Sequence, residues 1–411
     1  MEIIVQKFGG TSVANTERIK NVAQKVIREI KEGRKPVVIL SAMAGETDRL
    51  INLAHAITKN PSKREMDMLI ATGEQVTIAL LAIALEDLGI GAISLNAAQV
   101  GIFTDKAHTK AKIQKIETEK ICSHLKNEKV VIIAGFQGID ENMNITTLGR
   151  GGSDTSAVAI AAALNAAKCD IYTDVDGIYT ADPRIVPNAR KLSQISYDEI
   201  LELAALGAKV LHSRSVEFAK KYKVPLEVRS SFDDVRGTMV VEDNKNMEKI
   251  VVSGITSKKD ESRVTIQGVP DKPGIASTIF TALSKENVNV NIIVQSSSNA
   301  GSNVPINDIS FTVPVSDLNS AVSVLNQLKA ELGAKDVSIE EDIAIVSVVG
   351  IGMRSHSGVA AKMFETLASA GINIEMISTS EIKISVVIDK ALADKAVKLL
   401  HDAFKLGVDN E

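Results

Sequence analysis

The carboxy-terminal part of the chain contains two copies of one pattern, and this repeat restricts the possible folds more than any other feature. At an offset of 84 residues, the second copy repeats glycine, apolar and asparagine positions of the first. The matched pairs are Gly268 and Gly352, Gly274 and Gly358, Ala276 and Ala360, Phe280 and Phe364, Leu283 and Leu367, Asn289 and Asn373, and Ile293 and Ile377. Farther along the offset becomes 75, so the first copy carries nine extra residues, which we assign to residues 295–305.

The order of predicted elements is the same in both copies: strand, glycine-bearing loop, helix, strand, strand, helix. This is the order of a ferredoxin-like module. Two such modules in tandem resemble ACT domains, a family that binds small molecules, typically amino acids, at module interfaces. We assign the first module to residues 263–335 and the second to residues 336–411.

The first 230 residues alternate between strand and helix periodicity. The predicted strands are residues 2–8, 36–40, 92–95, 130–136 and 169–175, and the predicted helices include residues 19–30, 74–88 and 155–167. This alternation predicts an α/β fold with a mostly parallel sheet sandwiched by helices, whose ligands bind at the carboxyl ends of the strands. We place this domain at residues 1–231, followed by a polar linker at residues 232–262.

Composition argues against several classes of protein. The formal net charge of -4 lacks the basic excess of nucleic-acid-binding proteins, so we expect no nucleic-acid partner. Cys122 and Cys169 are far apart and outside any Cys/His grouping, which argues against a disulfide framework or a metal site and favours a reducing cytoplasm. The apolar stretch at residues 157–163 is too short to span a bilayer, so we expect no membrane association.

A glycine-rich loop, KFGGTS at residues 7–12, follows the first predicted strand. Adjacent glycines let the backbone approach a ligand, the N–H groups at a helix start favour an anion, and Lys7 adds a positive charge. On spacing alone, a tight turn with a chance lysine explains the loop equally well. The loop is not a Walker A motif, because the spacing G-x-x-x-x-G-K is absent.

A second glycine-rich loop, LGRGGSD at residues 148–154, opens a later helix. The guanidinium fork of Arg150 suits a substrate carboxylate. Ser153 or Asp154 could cap the helix, and Asp154 could instead hold a lysine in position; the sequence leaves both open. A long polar loop at residues 173–184, after another strand, could accommodate a ribose, a base and a phosphate.

Six motifs occur together in a fixed order. They are KFGGTS, SAMAGETD (41–48), TGEQ (72–75), LGRGGSD, VDGIYTADPR (175–184) and GAKVLHSRS (207–215). With this order, and joined to two ACT modules, the chain resembles aspartokinases of the amino acid kinase family over essentially its whole length. The resemblance implies transfer of the γ-phosphoryl group of ATP to the side-chain carboxylate of L-aspartate, giving 4-phospho-L-aspartate. That step commits aspartate to lysine, threonine and methionine synthesis, by way of diaminopimelate for lysine.

The resemblance also implies roles for individual residues. Lys7 contacts the transferring phosphate, Asp154 orients this lysine, and Glu74 is the partner of the substrate ammonium. The implied ATP-binding residues are Lys7, Phe8, Gly9, Gly10, Thr11, Ser12, Thr173, Asp174, Tyr179, Asp182, Arg184 and Lys209. The implied aspartate-binding residues are Ser41, Thr47, Glu74, Arg150, Gly152 and Ser153. Mg²⁺ is implied together with ATP, without a dedicated protein metal site.

By the same resemblance, end-product amino acids bind the ACT modules and inhibit the enzyme. The implied effector-binding residues are Asp271, Gly274, Ile275, Ala276, Asn289, Val290, Asn291, Gln295, Val359, Ala360, Asn373, Ile374 and Ser380. Ser296 stands where many relatives have asparagine, so the inhibitor stays open between lysine, threonine and both together. Family architecture further implies that a strand at residues 250–256 joins the second module, and that edge strands of the modules form homo-oligomers.

Two other interpretations remain open from the sequence. A sister enzyme that phosphorylates acetylglutamate, glutamate or UMP would keep the glycine-rich loops, but it would not be expected to combine KFGGTS, TGEQ and twin ACT modules. An amino-acid sensor with an inactive kinase domain is the other alternative. The presence of Lys7, Arg150 and Asp154 argues against it.

Overall fold

The computed structural model describes residues 2–207, 210–242, 251–298, 306–354, 356 and 358–408. These residues divide into two compact units. Within the described ranges, the first unit comprises residues 2–179, 191–205 and 210–242, and the second comprises residues 180–190, 206–207 and 251–408.

The first unit alternates strands and helices along the chain. Its strands are β1 (Ile3–Phe8), β2 (Lys35–Leu40), β3 (Ala92–Leu95), β4 (Ile102–Thr104), β5 (Ile113–Ile116), β6 (Val130–Ala134), β7 (Gln137–Ile139), β8 (Ile145–Thr147), β9 (Lys168–Thr173), β10 (Gln194–Ser196), β11 (Leu226–Ser230) and β12 (Thr238–Val241). Its helices are α1 (Thr16–Lys31), α2 (Glu46–Ile57), α3 (Lys63–Ile70), α4 (Thr72–Asp87), α5 (Ala97–Val100), α6 (Glu119–Lys126), α7 (Gly152–Ala163), α8 (Tyr197–Ala205) and α9 (Ser213–Tyr222).

The described strands of this unit build an eight-stranded sheet in the order β10-β12-β11-β9-β1-β2-β6-β3, and a small sheet in the order β5-β4-β7-β8. β9, β1, β2 and β6 pair in parallel. Apart from Lys35, β2 and β6 are continuous apolar runs, as expected of parallel strands covered on both faces. Because all four strands are parallel, their carboxyl ends lie along one edge of the sheet, where KFGGTS follows β1, whereas LGRGGSD follows β8 of the small sheet. The α/β fold predicted from the alternation is confirmed.

Helix α1 shows how local sequence sets these elements. Its buried face includes Ile19, Val22 and Val26, at helical spacing. The side chain of Asn15 caps its start by accepting a hydrogen bond from the Arg18 N–H at 2.9 Å. The helix predicted from this periodicity is therefore confirmed.

The start of this helix differs from the sequence prediction. The interpretation of KFGGTS as an anion site requires a helix start close to the glycine pair. Instead, Gly10–Val13 form a single 3₁₀ turn, and α1 begins only at Thr16. The glycine loop is therefore a compact turn of its own, separated from α1 by its Asn15 cap.

The longest apolar helical stretch of the described chain is residues 63–87, which covers α3 and α4. By length and composition alone this stretch could cross a membrane, but half of its most apolar 18-residue segment is buried inside the protein. Ile78, Leu81 and Leu85 of α4 belong to the core between this helix, α1 and the sheet. This burial is typical of a core helix.

The second unit contains the repeated elements. Its strands are β13 (Gly254–Pro270), β14 (Ile293–Ser298), β15 (Ile306–Pro314), β16 (Asp336–Val349), β17 (Met376–Thr379) and β18 (Lys383–Asp389). Its helices are α10 (Ile275–Lys285), α11 (Leu318–Leu332), α12 (Val359–Ser369) and α13 (Ala393–Ala403). Each copy therefore has the predicted ferredoxin-like order. The extra residues that we assigned to the first copy lie largely at 299–305, outside the described residues.

The two copies share one antiparallel sheet, in the order β14-β15-β13-β16-β18-β17 among the described strands. Residues 254–258 of β13 pair with residues 345–349 of β16, in the second copy. Residues 261–270 of the same strand pair with β15, in the first copy. The strand that we expected at residues 250–256 therefore lies in the second module's sheet, but it begins at Gly254 and continues into the first module.

Equivalent positions of the repeat have equivalent roles. Gly274 and Gly358 each lie directly before a helix. Their φ angles are positive, +101° and +97°, a conformation that a residue with a Cβ rarely adopts. Leu283 and Leu367 are both fully buried in the cores of their copies. The sequence repeat therefore reflects two copies of one packing arrangement.

Residues 180–190 are part of the second unit, although they follow β9 of the first. Ala181 and Val186 are buried in the core of the second copy. Thr180 Oγ1 lies 3.0 Å from Nε2 of the fully buried His401, and the Ile255 N–H donates to the Thr180 carbonyl at 2.8 Å. The loop TDVDGIYTADPR is therefore divided between the two units.

Candidate active site

A cavity of about 340 Å³ lies in the first unit, and we call it the active-site cavity. It is lined by Lys7, Gly10, Ser41, Ala42, Met43, Ala44, Gly45, Thr47, Asp48, Glu74, Phe136, Gly149, Arg150, Gly151, Gly152, Ser153 and Asp154. These residues come from the end of β1, from the segments that follow β1, β2, β6 and β8, and from the first turns of α2, α4 and α7. The structure thus brings together both predicted catalytic residues and all six predicted aspartate-binding residues.

Lys7 and Asp154 form a tight ion pair in this cavity. Lys7 Nζ lies 2.6 Å from Asp154 Oδ1, and the two side chains are only 11% and 13% exposed. Helix α7 has Gly151 as its N-cap residue, without a side-chain hydrogen bond. Neither Ser153 nor Asp154 therefore caps the helix, and Asp154 instead holds the lysine, the second of the two roles that the sequence left open.

The glycine loop after β1 packs closely against the segment after β2. A Cβ on Gly10 would lie 2.9 Å from the Ala42 carbonyl oxygen, and the Ala44 N–H donates to the Gly10 carbonyl at 3.2 Å. A Cβ on Gly73, at the start of α4, would lie 2.8 Å from the Ala42 Cβ. These approaches require glycine, and they hold three chain segments together around one wall of the cavity.

Arg150 projects from the second glycine-rich loop. Its neighbours Gly149 and Gly151 both have positive φ, +78° and +69°. Arg150 is exposed, and among the described residues its guanidinium forms no hydrogen bond or ion pair. A planar cation that lines a cavity without a protein partner is suited to bind an anionic ligand.

Glu74 lies at the first turn of α4 and is 3% exposed. Its Oε1 accepts a hydrogen bond from the Ala42 N–H at 3.1 Å, whereas Oε2 is buried and accepts no hydrogen bond from the described protein. Burial raises the pKa of Glu74 to about 7. A ligand cation at Oε2 would favour the ionised form and lower this pKa.

Most of the predicted nucleotide-binding residues lie outside the active-site cavity. Phe8 is fully buried, with its ring stacked on Tyr172 at 4.4 Å, and Ser12 is hydrogen-bonded to Ser231. Gly9 donates its N–H to the Tyr172 carbonyl, and Thr11 is exposed. The hydroxyl groups of Thr173 and Tyr179 donate to the carboxylates of Asp174 and Asp176. Asp182 forms an ion pair with Arg184 in the second unit. Lys209 lies outside the described residues.

Eight lining residues were not predicted from the sequence. They are Ala42, Met43, Ala44, Gly45, Asp48, Phe136, Gly149 and Gly151. Five of them belong to SAMAGETD, which follows β2, so the rule that ligands bind at the carboxyl ends of strands could have found them. Phe136 follows β6 and has a positive φ of +68°, which only coordinates reveal.

A second cavity, of about 510 Å³, lies within the second unit, and we call it the regulatory cavity. It is lined by Met353, His356, Gly358, Val359, Ala360, Thr379, Ser380, Glu381 and Ile384. Three predicted effector-binding residues, Val359, Ala360 and Ser380, are among them, whereas Asn373 and Ile374 are not.

The predicted effector residues of the first copy occupy the matching segments. Asp271, Gly274, Ile275 and Ala276 lie at the start of α10; Asn289, Val290 and Asn291 precede β14; and Gln295 lies on β14. Asn291 Nδ2 donates to the buried Glu261 at 2.7 Å, and Asn307 Nδ2 donates to Asp271 at 2.9 Å. The first group therefore lies at the start of α10, and Asn289, Val290 and Asn291 lie beyond its end.

Comparison with known proteins identifies the family. Residues 2–230 match the Amino acid kinase family, and residues 264–328 and 346–404 match the ACT domain. The chain is 53% identical over 407 residues to "Aspartate kinase Ask_LysC" of Stutzerimonas stutzeri, covering 99% of this chain and 98% of the relative. It is 52% identical over 406 residues to aspartokinase 2 of Bacillus subtilis, with the same coverage.

Solved structures agree with these relatives. E. coli aspartokinase III in complex with aspartate and ADP (R-state) matches with a TM-score of 0.82 at 27% identity, covering 98% of this chain and 99% of that one. The same enzyme in complex with lysine and aspartate (T-state) matches with a TM-score of 0.77 at 27% identity, covering 98% and 100%. The likeness of sequence and of fold extends through both units, and the chain therefore belongs to the amino acid kinase family, as an aspartokinase that transfers the γ-phosphoryl group of ATP to L-aspartate and carries two ACT domains.

Proposed function

We propose that L-aspartate binds in the active-site cavity between Arg150 and Glu74, and that ATP presents its γ-phosphate beside Lys7. The observation that supports this arrangement best is that these three side chains, from three different segments, line one cavity. Arg150 carries an unpaired cation, Glu74 an unpaired carboxylate oxygen, and Lys7 a cation fixed by Asp154. Together they match the charges of an amino acid and a phosphate.

Aspartate offers three charged groups to these side chains. Its α-carboxylate pairs with the Arg150 guanidinium through two parallel hydrogen bonds. Its ammonium occupies the position beside Glu74 Oε2, which accepts no other hydrogen bond from the described protein. With both α-substituents held, the side-chain carboxylate is the group left to face the phosphate.

The chemical step needs charge neutralisation more than proton transfer. A side-chain carboxylate with an ordinary pKa of about 4 is already ionised at neutral pH, so the nucleophile needs no general base. The obstacle is repulsion between two anions, and a preorganised cation reduces it. Lys7 supplies that cation, and its ion pair with Asp154 at 2.6 Å keeps the ammonium in place before the phosphate arrives. Ser41, Thr47, Gly152 and Ser153 complete the aspartate site.

The nucleotide lies along the carboxyl ends of β1 and β9, which are neighbours in the sheet. We retain Phe8, Gly9, Gly10, Thr11, Ser12, Thr173, Asp174, Tyr179, Asp182, Arg184 and Lys209 as its proposed contacts. Mg²⁺ enters as part of the MgATP substrate, held mainly by phosphate oxygens and water. The described residues contain no group of three or more His, Cys, Asp or Glu side chains that could hold a metal ion.

The regulatory cavity is our proposed effector site. The N-terminus of α12 and the Gly358 turn before it contribute to its wall, and helix starts favour a carboxylate. Lysine, threonine or both together are the candidate effectors, and E. coli aspartokinase III has been solved with lysine. The residues of the first copy, from Asp271 to Gln295, form the proposed matching site. We further propose a homo-oligomer through the edge strands β14 and β17, in a reducing cytoplasm that suits the free Cys122 and Cys169.

A coupled assay tests the proposed substrate. The full chain is supplied with MgATP and one acceptor at a time: L-aspartate, L-glutamate, acetylglutamate or UMP. We expect ADP release only with L-aspartate, together with an acyl phosphate that hydroxylamine traps as a hydroxamate. Turnover with another acceptor and none with aspartate would defeat the assignment.

A further inference from the structure

The loop that presents Arg150 is confined on both sides by neighbouring segments. A Cβ on Gly149 would lie 2.9 Å from the Thr109 carbonyl oxygen, and a Cβ on Gly151 would lie 2.3 Å from Cγ of the His212 ring. Between these two contacts, Arg150 is the residue of the loop whose side chain is exposed at the cavity. The direction of its guanidinium therefore depends on what fixes the two neighbouring segments.

One of those segments is anchored by Asp67 of α3. Its carboxylate is fully buried and accepts hydrogen bonds from the Thr109 N–H at 3.0 Å and from Thr147 Oγ1 at 2.5 Å. Nδ1 of His108 also lies 2.8 Å from it. The position of the Thr109 carbonyl, and hence of the wall against Gly149, is set by this buried group.

The other segment is anchored by Arg214, in the first turn of α9. Its two terminal nitrogens donate to two main-chain carbonyls, Leu148 at 2.8 Å and Ala111 at 2.8 Å. Leu148 is the first residue of the glycine-rich loop. Ala111 belongs to the same segment as Thr109, which packs against Gly149. One guanidinium therefore connects the loop, the neighbouring segment and the helix that carries His212.

Among the described residues no carboxylate lies within ion-pair distance of the Arg214 guanidinium, although Asp105 and Glu217 act on its charge from farther away. Within the described part of the chain its guanidinium contacts these neutral carbonyls and forms no salt bridge with a carboxylate. Half-burial of the cation in such surroundings lowers its pKa and costs free energy. Because the guanidinium is planar, its two hydrogen bonds fix the distance and the angle between the Leu148 and Ala111 carbonyls. The ammonium of a lysine in the same place would hold only one of the two carbonyls at good geometry.

We propose that Arg214 is a positioning residue: by holding the Leu148 and Ala111 carbonyls it sets the direction of Arg150 and thereby the affinity for the amino acid substrate. This inference rests on the proposed carboxylate role of Arg150. It assigns Arg214 no contact with substrate, and it predicts an effect confined to the amino acid and absent for the nucleotide.

Steady-state kinetics of two variants test the proposal. Arg214→Met keeps the aliphatic volume and removes both hydrogen bonds, so we expect the KM for aspartate to rise about tenfold or more and the KM for ATP to change less than about twofold. Arg214→Lys keeps the charge and one donor, and we expect an intermediate rise; it also replaces the first variant if that one does not fold. Arg34→Met, which removes a half-buried arginine paired with Glu29 and Glu32 at the end of α1, is the matched control and should leave the KM for aspartate unchanged.

A double-mutant cycle with Arg150→Ala separates this inference from the proposed function. If Arg214 acts through Arg150, Arg214→Met adds less than about twofold to the KM for aspartate once Arg150 is gone. A normal KM for aspartate in Arg214→Met, equal rises in both KM values, or full additivity in the double variant would overturn the inference. If Arg150→Ala itself raised both KM values equally or neither, the carboxylate role would fail, a result visible in the single variant alone.

Discussion

Lys7 Nζ lies 2.6 Å from Asp154 Oδ1, so the end of the first strand and the first turn of α7 are joined across 147 residues of sequence by one largely buried ion pair. The lysine is the cation that we place beside the transferring phosphate. The aspartate cannot bind phosphate itself because its charge has the wrong sign. Its contribution is to hold the lysine before the substrates arrive, so the two residues act as one unit.

Replacing Asp154 by asparagine should reduce kcat far more than it changes either KM. The asparagine keeps the size of the side chain but no longer attracts the Lys7 ammonium, and loss of one preorganised charge contact commonly costs about 10²-fold in kcat. Steady-state kinetics with aspartate and MgATP measure the effect. Asp48→Asn, which removes an exposed carboxylate from the wall of the same cavity, is the control. A kcat for Asp154→Asn equal to that of the control would contradict the role.

The raised pKa of Glu74 predicts that aspartate affinity falls in mild acid. Only the ionised carboxylate attracts the substrate ammonium, so below about pH 7 the KM for aspartate should rise about tenfold per pH unit. Binding near neutral pH should also release protons, which calorimetry in buffers of different ionisation enthalpy detects. A KM for aspartate that stays constant between about pH 5.5 and about pH 8 would show that Glu74 does not meet the ammonium.

The same residue links stability to pH. The unfolded chain loses this proton near its ordinary value of 4.5 and the folded chain only at about 7, so the contribution of Glu74 to stability is most favourable below about 4.5 and decreases as pH rises to about 7. Glu74→Gln removes that cost, which at most amounts to about 3 kcal/mol. In urea unfolding without aspartate, the free energy of unfolding of Glu74→Gln relative to that of the natural chain should therefore increase between about pH 5 and about pH 8. An unchanged difference across this range would refute the linkage.

Substitution of Gly151 by alanine should be more costly than a positive φ alone explains. Gly33, after α1, has a φ of +80° and no heavy atom within 4 Å of an added Cβ, so Gly33→Ala measures backbone strain alone, about 1 kcal/mol. Gly151 has a similar φ of +69°, but its Cβ would lie 2.3 Å from His212 Cγ, and relieving such overlap typically costs a further 1–3 kcal/mol, by rough estimate. Urea unfolding of both variants compares the two costs. Equal destabilisation would mean that His212 moves aside freely.

A bulky side chain in the regulatory cavity should reduce inhibition. Ser380→Trp places an indole where we propose that the effector binds, so the inhibitor concentration needed for half inhibition by lysine, threonine or both should rise about tenfold or more. Ser369→Trp, on an exposed position at the end of α12 outside this cavity, is the control. Equal sensitivity of both variants would place the effector elsewhere.

Local sequence patterns predicted much of this architecture. The apolar spacing of Ile19, Val22 and Val26 predicted α1, and the offset of 84 residues predicted two equivalent modules. Both patterns can be read from the sequence without knowledge of tertiary contacts. The rule that ligands bind at the carboxyl ends of parallel strands located KFGGTS after β1, whereas LGRGGSD reaches the same cavity from β8 of the small sheet.

The features that the sequence did not predict depend on tertiary contacts. A helix cap and a lysine partner look the same in the motif GGSD, and only the distance to Lys7 separates them. The sharing of one sheet by both modules depends on β13 and β16 continuing past the point where one module ends. The pKa of Glu74 depends on burial between segments far apart in sequence.

The division of the loop after β9 has a consequence for attempts to separate the catalytic part from the regulatory part. A shortened protein that stops at residue 242 would retain residues 180–190 but lose the partners that cover Ala181 and Val186, leaving apolar surface in water and Thr180 without His401. Such a fragment should be prone to aggregate. A chain of this design is safer to engineer as a whole than to cut in two.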